Sequence, residues 1–98
     1  MKTYQGDRTI DGIVVTVDSN ALDERRELKT ISENGFEWGF EGPAAEQLAL
    51  AILADHLGDD PRALRLSAPF MREVVANFAN EWVMTSNDVA EAVDALEG

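Results

Sequence analysis

The feature that most constrains the fold is a stretch between Pro43 and Gly58 in which apolar residues occupy almost every position. Pro43 suits the first turn of a helix, Glu46 favours its positively polarised N-terminus, and Gly58 is typical of the residue that follows a helix. The sequence therefore predicts a helix over residues 43–57. Because this helix is apolar nearly all the way round, several sides of it must be covered by other elements or by a second copy of the chain.

Three other segments predict an antiparallel sheet. Residues 4–17 read as a β-hairpin, in which alternating Ile and Val side chains share one face and Asp11-Gly12 is typical of a tight two-residue turn. The segments Phe-Glu-Trp-Gly-Phe at 36–40 and Glu-Trp-Val-Met-Thr at 81–85 are rich in aromatic and β-branched residues, and each predicts a strand.

The rest of the C-terminal half predicts shorter helices. Asp60 is expected to cap a helix, and Pro69 is expected to divide that helix into pieces at 61–67 and 69–78. Thr85 or Ser86 should cap the last helix, since Asp88 follows Thr85 at the spacing of a capping box.

The predicted fold is therefore α+β, in one domain over residues 1–98. A small antiparallel sheet, made of the N-terminal hairpin and the strands near 36–40 and 81–85, packs against the central helix at 43–57 and the C-terminal helices. Residues 21–34 mix charges of both signs. They are expected to form a loop with only weak regular structure, and the alternative is a short helix around Asp23 to Leu28.

The charge balance bears most directly on function. The 98 residues include 19 acidic and 8 basic side chains, a net charge of −11, so the general surface should repel nucleic acid and anionic membranes. The first eight residues contain no apolar segment, and no apolar run is long enough to cross a bilayer, so we expect a soluble, cytoplasmic protein. The absence of cysteine agrees with a reducing compartment.

No pattern of residues predicts catalysis, a metal or a cofactor. The glycine turn before the central helix is surrounded by glutamates and matches no phosphate-binding motif. His56 is the only histidine, and its sequence neighbour Asp55 does not face it on a helix. Asp55, Asp59 and Asp60 offer oxygen ligands without the loop of an EF-hand, and Asp60 is explained as a cap.

The C-terminal segment carries the most suggestive charge pattern. From residue 81 onward there are five acidic residues and no basic one, and on the last helix the carboxylates recur every three residues. That spacing is about 4.5 Å of axial rise, close to the spacing of phosphates along DNA, so this helix edge is expected to offer a basic groove a phosphate-like row. The alternative is the solvated face of an amphipathic helix. Acidic residues in a last helical turn oppose the helix dipole, which favours a use for the charge.

The chain resembles a family of small uncharacterised proteins found in phages, mobile elements and bacterial genomes. The resemblance rests on YQGDRTIDGIVVTVD at 4–18, Leu22, GFEWGF at 35–40, GPAAEQLALAILADHLGDD at 42–60 and F-x-x-E-V-V-A at 70–76. The turn Phe40-Glu41-Gly42-Pro43 departs from the Gly-Ser-Gly-Pro-like turn that is common in that family. The resemblance implies a mobile-element context, in which small acidic proteins are often inhibitors of host nucleic-acid machinery, including anti-CRISPR proteins and DNA mimics.

Two functions follow as hypotheses. In the first, the protein is a non-enzymatic inhibitor without cofactor that docks on the basic nucleic-acid-binding surface of a host defence complex. In the second, it is an accessory or homodimeric module whose acidity serves only solubility and whose apolar helix supplies the dimer interface. The residues predicted to bind a partner in the first case are Asp59, Asp60, Glu81, Asp88, Glu91, Asp94 and Glu97.

Overall fold

The computed structural model describes residues 2–98, which form a four-stranded antiparallel sheet and three helices. This confirms the α+β prediction. The elements are, in chain order, β1 (Thr3–Thr9), β2 (Gly12–Val17), β3 (Asn20–Ala21), α1 (Pro43–Leu57), α2 (Asp60–Glu73), a 3₁₀ turn (Val75–Asn77), β4 (Trp82–Thr85) and α3 (Ser86–Glu97). In space the strands follow the order β3-β2-β1-β4, so the last strand of the chain pairs with the first.

The predicted hairpin is confirmed, but its turn lies one residue earlier than expected. β1 and β2 pair as far as Thr9 and Gly12, which leaves Ile10 and Asp11 as the two loop residues. Gly12 is instead the first residue of β2, with a φ of 123° that disfavours any residue with a Cβ.

A second tight turn, at Asp18 and Ser19, joins β2 to β3. Their φ values of 49° and 71° are both positive, as a type I′ turn requires. The short strand β3 then pairs with only the last two residues of β2, Thr16 and Val17.

The sheet buries one face and leaves the other open. On the buried face Gly6 lies directly opposite Trp82, and a Cβ added to Gly6 would lie 2.2 Å from the indole Nε1. Only glycine therefore lets the Trp82 ring lie across β1. On the open face Val14 and Val83 are both more than half exposed.

The prediction of a strand over residues 36–40 is wrong. Gly35 and Gly39 have positive φ values of 86° and 87°, which turn the chain at both ends of this segment. The N–H groups of Glu37 and Gly39 donate to carbonyls in α1 and in the 3₁₀ turn rather than to a neighbouring strand. The aromatic side chains consequently do not share one face, and Phe40 is half exposed.

Trp38 instead joins an aromatic cluster with Phe78 and Trp82. The Trp82 ring stacks on Phe78 with a centroid distance of 4.3 Å and meets Trp38 edge-on at 5.8 Å. Arg8 covers the Trp38 ring at 4.7 Å from its centroid and donates hydrogen bonds to the Trp38 carbonyl and the Glu37 carboxylate. Both indole N–H groups are buried without an acceptor in residues 2–98, so packing rather than hydrogen bonding holds the two rings.

The sequence predicts a loop over residues 21–34; Ala21 instead belongs to β3, and residues 22–34 form an irregular loop. One buried side chain of α1 holds that loop in place. Gln47 is fully buried. Its Oε1 accepts two backbone hydrogen bonds and its Nε2 donates two, so all four capacities of the amide are used. The partners are Ile31 N at 2.7 Å, Ser32 N at 3.0 Å, Glu24 O at 2.6 Å and Lys29 O at 3.2 Å.

α1 has the predicted bounds and ends at Gly58, whose φ of 63° is the left-handed cap conformation. Every residue from Gln47 to Leu53 is fully buried. α2 is its main neighbour, and the 3₁₀ turn, α3, the Gln47-bound loop and Tyr4 of β1 complete the cover. The chain therefore covers its own central helix without needing a second copy.

The prediction that Pro69 divides the following helix into pieces at 61–67 and 69–78 is also wrong. α2 runs unbroken through Pro69 to Glu73, and the 3₁₀ turn follows separately. The proline removes one hydrogen bond, to the carbonyl of exposed Arg65, where water can replace it. Burial of Phe70 and its neighbours against the core keeps the helix continuous.

Candidate protein-binding surface

α3 carries most of the carboxylates that were predicted to bind a partner. The predicted capping box is confirmed: the Asp88 N–H donates to the Thr85 hydroxyl at 3.2 Å, and the Thr85 N–H donates to the Asp88 carboxylate at 2.9 Å. Val89 and Val93 are buried and fix the inner side of α3 against β4 and α2. The outer side of the helix faces solvent.

The seven carboxylates that were predicted to bind a partner fall into two groups, according to whether they have a partner within the chain. Three have partners within the chain, namely Asp59, Asp88 and Glu97. Asp59, and not Asp60 as predicted, caps α2, and its carboxylate accepts the Arg62 N–H at 3.2 Å. The other four are exposed, and their carboxylates form no hydrogen bond or ion pair within residues 2–98: Asp60, Glu81, Glu91 and Asp94.

Glu97 has a structural role that the sequence did not reveal. The Arg62 guanidinium of α2 donates to both carboxylate oxygens of Glu97, and the bond from Arg62 Nε to Glu97 Oε2 is 2.8 Å long. The Arg65 guanidinium lies 3.7 Å from the same Oε2. The hydrogen bond from Arg62 lowers the pKa of Glu97 below its usual value. An acidic residue in the last turn of α3 is thus explained by an ion pair that ties the end of α3 to the start of α2.

The carboxylates of α3 do not form a single phosphate-like row. Because a helix turns by about 100° per residue, a spacing of three residues steps the side chain about 60° around the axis. From Asp88 to Glu97 the four carboxylates therefore spread over about half of the circumference. Asp88 and Glu91 lie on one side of α3, while Glu97 lies on the side that meets Arg62.

A groove of about 480 Å³ separates α3 from the end of α2, and Val74, Ala92, Ala95 and Leu96 give it an apolar floor. Glu73 lies in its wall. Asp88 and Glu91 precede Ala92 and Ala95 by four residues, so they stand on the same side of α3 as this α2–α3 groove. The apolar spacing of α3 was visible in the sequence, but the contribution of residues 73–74 to the groove was not.

The ion pairs of the fold leave the acidic surface largely uncompensated. Four of the 19 carboxylates take part in ion pairs within residues 2–98, and these pairs occupy five of the eight basic side chains. The carboxylates involved are Glu24, Glu37, Asp55 and Glu97. On α3 itself there is no basic residue.

The other polar groups singled out in the sequence have local roles. The Asp55 carboxylate accepts hydrogen bonds from the buried Tyr4 hydroxyl at 2.7 Å and from the Lys2 ammonium at 3.0 Å. Partial burial lowers the pKa of His56, against the opposing effect of Asp55. Within residues 2–98 no three His, Asp or Glu side chains lie close enough together to hold a metal ion. None of the helices in this range is both long and apolar enough to span a membrane.

Comparison with known proteins assigns the chain to a family but does not assign it an activity. Residues 4–95 match the model of DUF6166, a family of unknown function. The chain belongs to this family. The match includes the hairpin, the aromatic cluster and all but the last residues of α3. Neither the search of curated proteins nor the search of solved structures found a match.

Proposed function

We propose that this DUF6166 protein is a non-catalytic inhibitor that binds a basic, nucleic-acid-binding surface of a host protein complex. In its most specific form the target is a host defence complex, and the protein acts as an anti-CRISPR-like protein carried by a mobile element. The observation that supports the proposal is the exposed carboxylate surface of α3, which has no basic residue within the helix to neutralise it.

The geometry favours a protein partner with exposed arginine or lysine side chains. These side chains combine an aliphatic stem with a charged head. In the α2–α3 groove the stem would contact Ala92, Ala95 and Leu96, and the head would meet Glu91 and Asp88 at the rim. Such a contact needs no DNA-like spacing of the carboxylates, which α3 does not provide.

The electrostatics of the whole chain favour the same class of partner. A net charge of −11 attracts a basic surface over long distances and speeds the encounter, and this attraction weakens as salt is added. The same charge repels nucleic acid, so competition with nucleic acid for one protein surface is the expected mode of inhibition.

The test is a tagged pull-down from host lysate at low salt, with and without duplex DNA as competitor. We expect the wild-type chain to recover one discrete nucleic-acid-binding complex, which the added DNA displaces. A discrete complex that DNA leaves undisturbed would contradict binding at a nucleic-acid surface. Recovery of the chain alone would contradict the inhibitor and favour the homodimeric module.

A pair of charge-matched variants locates the surface. The first neutralises Asp60→Asn, Glu81→Gln, Glu91→Gln and Asp94→Asn, whose carboxylates have no partner within residues 2–98. The second neutralises four exposed carboxylates away from the α2–α3 groove, through Asp7→Asn, Asp23→Asn, Glu27→Gln and Glu41→Gln. We expect the first variant to bind the complex at least about tenfold more weakly and the second to bind nearly as the wild type does. Equal losses would show that only net charge matters and not this surface.

A further inference from the structure

A second groove, which shares no lining residue with the α2–α3 groove, lies along β2. It has a volume of about 590 Å³ and runs between residues 12–15 of β2 and the irregular segment 34–36. Its apolar lining residues include Ile13, Val15, Leu22 and Phe36. Ala21 and Leu22, where β3 leaves β2, close one end of this β2-edge groove.

The backbone of β2 presents unpaired peptide groups to this groove. The Leu22 N–H donates to the Val15 carbonyl at 3.1 Å, which shows that the Val15 peptide groups point away from β1. Residues two apart in a strand point their peptide groups in the same direction, so those of Ile13 do so as well. β3 pairs only with Thr16 and Val17, and within residues 2–98 the Ile13 N–H and C=O have no backbone partner.

The floor of the groove is shaped for side chains of an added strand. Val15 and Leu22 are 7% exposed, whereas Ile13 is 37% exposed and Phe36 is partly buried. A strand hydrogen-bonded to Ile13 would direct every second side chain over Leu22 and Phe36. The open edge is four residues long, or about 13 Å at 3.3 Å per residue, which suits a short extended segment.

Charge decides between a second copy of this chain and a different partner. Two copies would bring together chains of net charge −11, along an edge that is only four residues long. Exposed Asp11 and Glu33 border the groove beside Gly12 and Asn34, and Glu24 in its wall already pairs with Arg26. A basic segment complements this border, while a second acidic chain does not.

We propose that the β2-edge groove binds a short, extended, basic segment of a partner protein, which adds to the sheet as a strand beside residues 12–15. The N–H and C=O of Ile13 form the backbone hydrogen bonds to the added strand, and Leu22 and Phe36 contact an apolar side chain of the partner. This site is separate from the carboxylates of α3, so it stands or falls independently of the proposed inhibition.

The experiment starts from a display library of random heptapeptides, selected on the immobilised wild-type chain. Selected peptides are synthesised, and their affinities are measured for the wild type and for Ile13→Pro. Proline removes the N–H that faces the groove but no N–H that pairs with β1, so the hairpin should persist. Val83→Thr, on the open face of β4, is the matched control.

We expect peptides that alternate apolar and basic residues, that bind Ile13→Pro at least tenfold more weakly than wild type, and that bind Val83→Thr within twofold of wild type. Hydrogen exchange at the Ile13 and Val15 amides of the wild type should slow at least tenfold when peptide is bound. The same peptide with alternate backbone nitrogens methylated should not bind. This measurement on the wild type tests the proposal even where Ile13→Pro fails to fold.

Three outcomes would overturn the proposal. The first is a selection that enriches no peptide, and the second is binding that neither Ile13→Pro nor backbone methylation weakens. The third is slowed exchange at Ile13 that depends on the concentration of the protein alone, which would identify a second copy as the occupant.

Discussion

The loop at residues 22–41 and the helix α3 differ in how each is held. The loop has no regular secondary structure, yet internal hydrogen bonds to Gln47 and Arg8 and the burial of Trp38 fix its path. α3 is regular and well capped, yet it contributes only two buried side chains, Val89 and Val93, to the core. Regular secondary structure therefore does not indicate how much a segment contributes to stability. We expect substitutions that release the irregular loop to lower the free energy of unfolding more than substitutions in α3.

The largest expected effect comes from Gln47→Ala. It leaves two N–H groups and two carbonyls of the loop, in buried or partly buried positions, without their partner, and we expect the free energy of unfolding to fall by about 3 kcal/mol. Urea denaturation measures the loss. Gln5→Ala, on the open face of β1, is the matched control and should change stability by less than about 0.5 kcal/mol. Similar losses in the two variants would mean that Gln47 does not anchor the loop.

Gly6→Ala should come next, because its Cβ would overlap the Trp82 indole and push it against Trp38. We expect a loss of about 2 kcal/mol. The smaller ring of Trp82→Phe should relieve the overlap, so a double-mutant cycle of the two substitutions should show favourable coupling of at least about 1 kcal/mol. Strict additivity would contradict the close approach of Gly6 and Trp82.

Thr85→Ala tests the ordered helix, and its effect should be smaller. It removes the side-chain half of the capping box, for an expected loss of about 1 kcal/mol. Thr16→Ala, on the open face of β2, serves as the comparison and should cost less, because the Thr16 hydroxyl makes no hydrogen bond within residues 2–98. If Thr85→Ala destabilised the chain as much as Gln47→Ala, the contrast between loop and helix would fail.

The smallest effect concerns the ion pair between Arg62 and Glu97, which ties α3 to α2. Since Arg62 lowers the pKa of Glu97 below the 4.5 of a free glutamate, this contribution to stability is present above pH 4.5 and is lost as the pH falls through the folded-state pKa. Glu97→Gln should therefore flatten the acid side of the stability profile slightly. Thermal melts between pH 3 and pH 6 compare this variant with the wild type, and an identical acid slope in the two would contradict the role of the ion pair.

The same contrast explains which sequence predictions were confirmed. α1, the hairpin, β4 and the capping box of α3 depend on neighbouring residues, through apolar spacing, turn residues and caps. Residues 36–40 look like a strand because their aromatic residues alternate, but the conformations of Gly35 and Gly39 and the contacts of Trp38 remove them from the sheet. Pro69 looks like a break, but packing of Phe70 carries α2 past it.

For the candidate binding surface, the sequence identified the carboxylates but not their roles. Nothing in the spacing of α3 indicates that Glu97 meets an arginine 35 residues earlier, or that Asp59 rather than Asp60 caps α2. Both grooves were also missed, since each has walls from segments far apart in the chain. Their floors are visible in the sequence only as ordinary apolar residues.

The sequence by itself determined the elements whose signals are local: the central apolar helix, the N-terminal hairpin, the capped last helix and the acidic balance of the surface. Only the tertiary structure decided the path of residues 22–41, the pairing of β4 with β1 and the division of the carboxylates into tethered and exposed groups. The physical reason is the distance along the chain over which each kind of interaction acts. Backbone preference, capping and amphipathic spacing act within a few residues, whereas the partners of Gln47, Arg8, Gly6 and Glu97 exist only after distant parts of the chain have packed together.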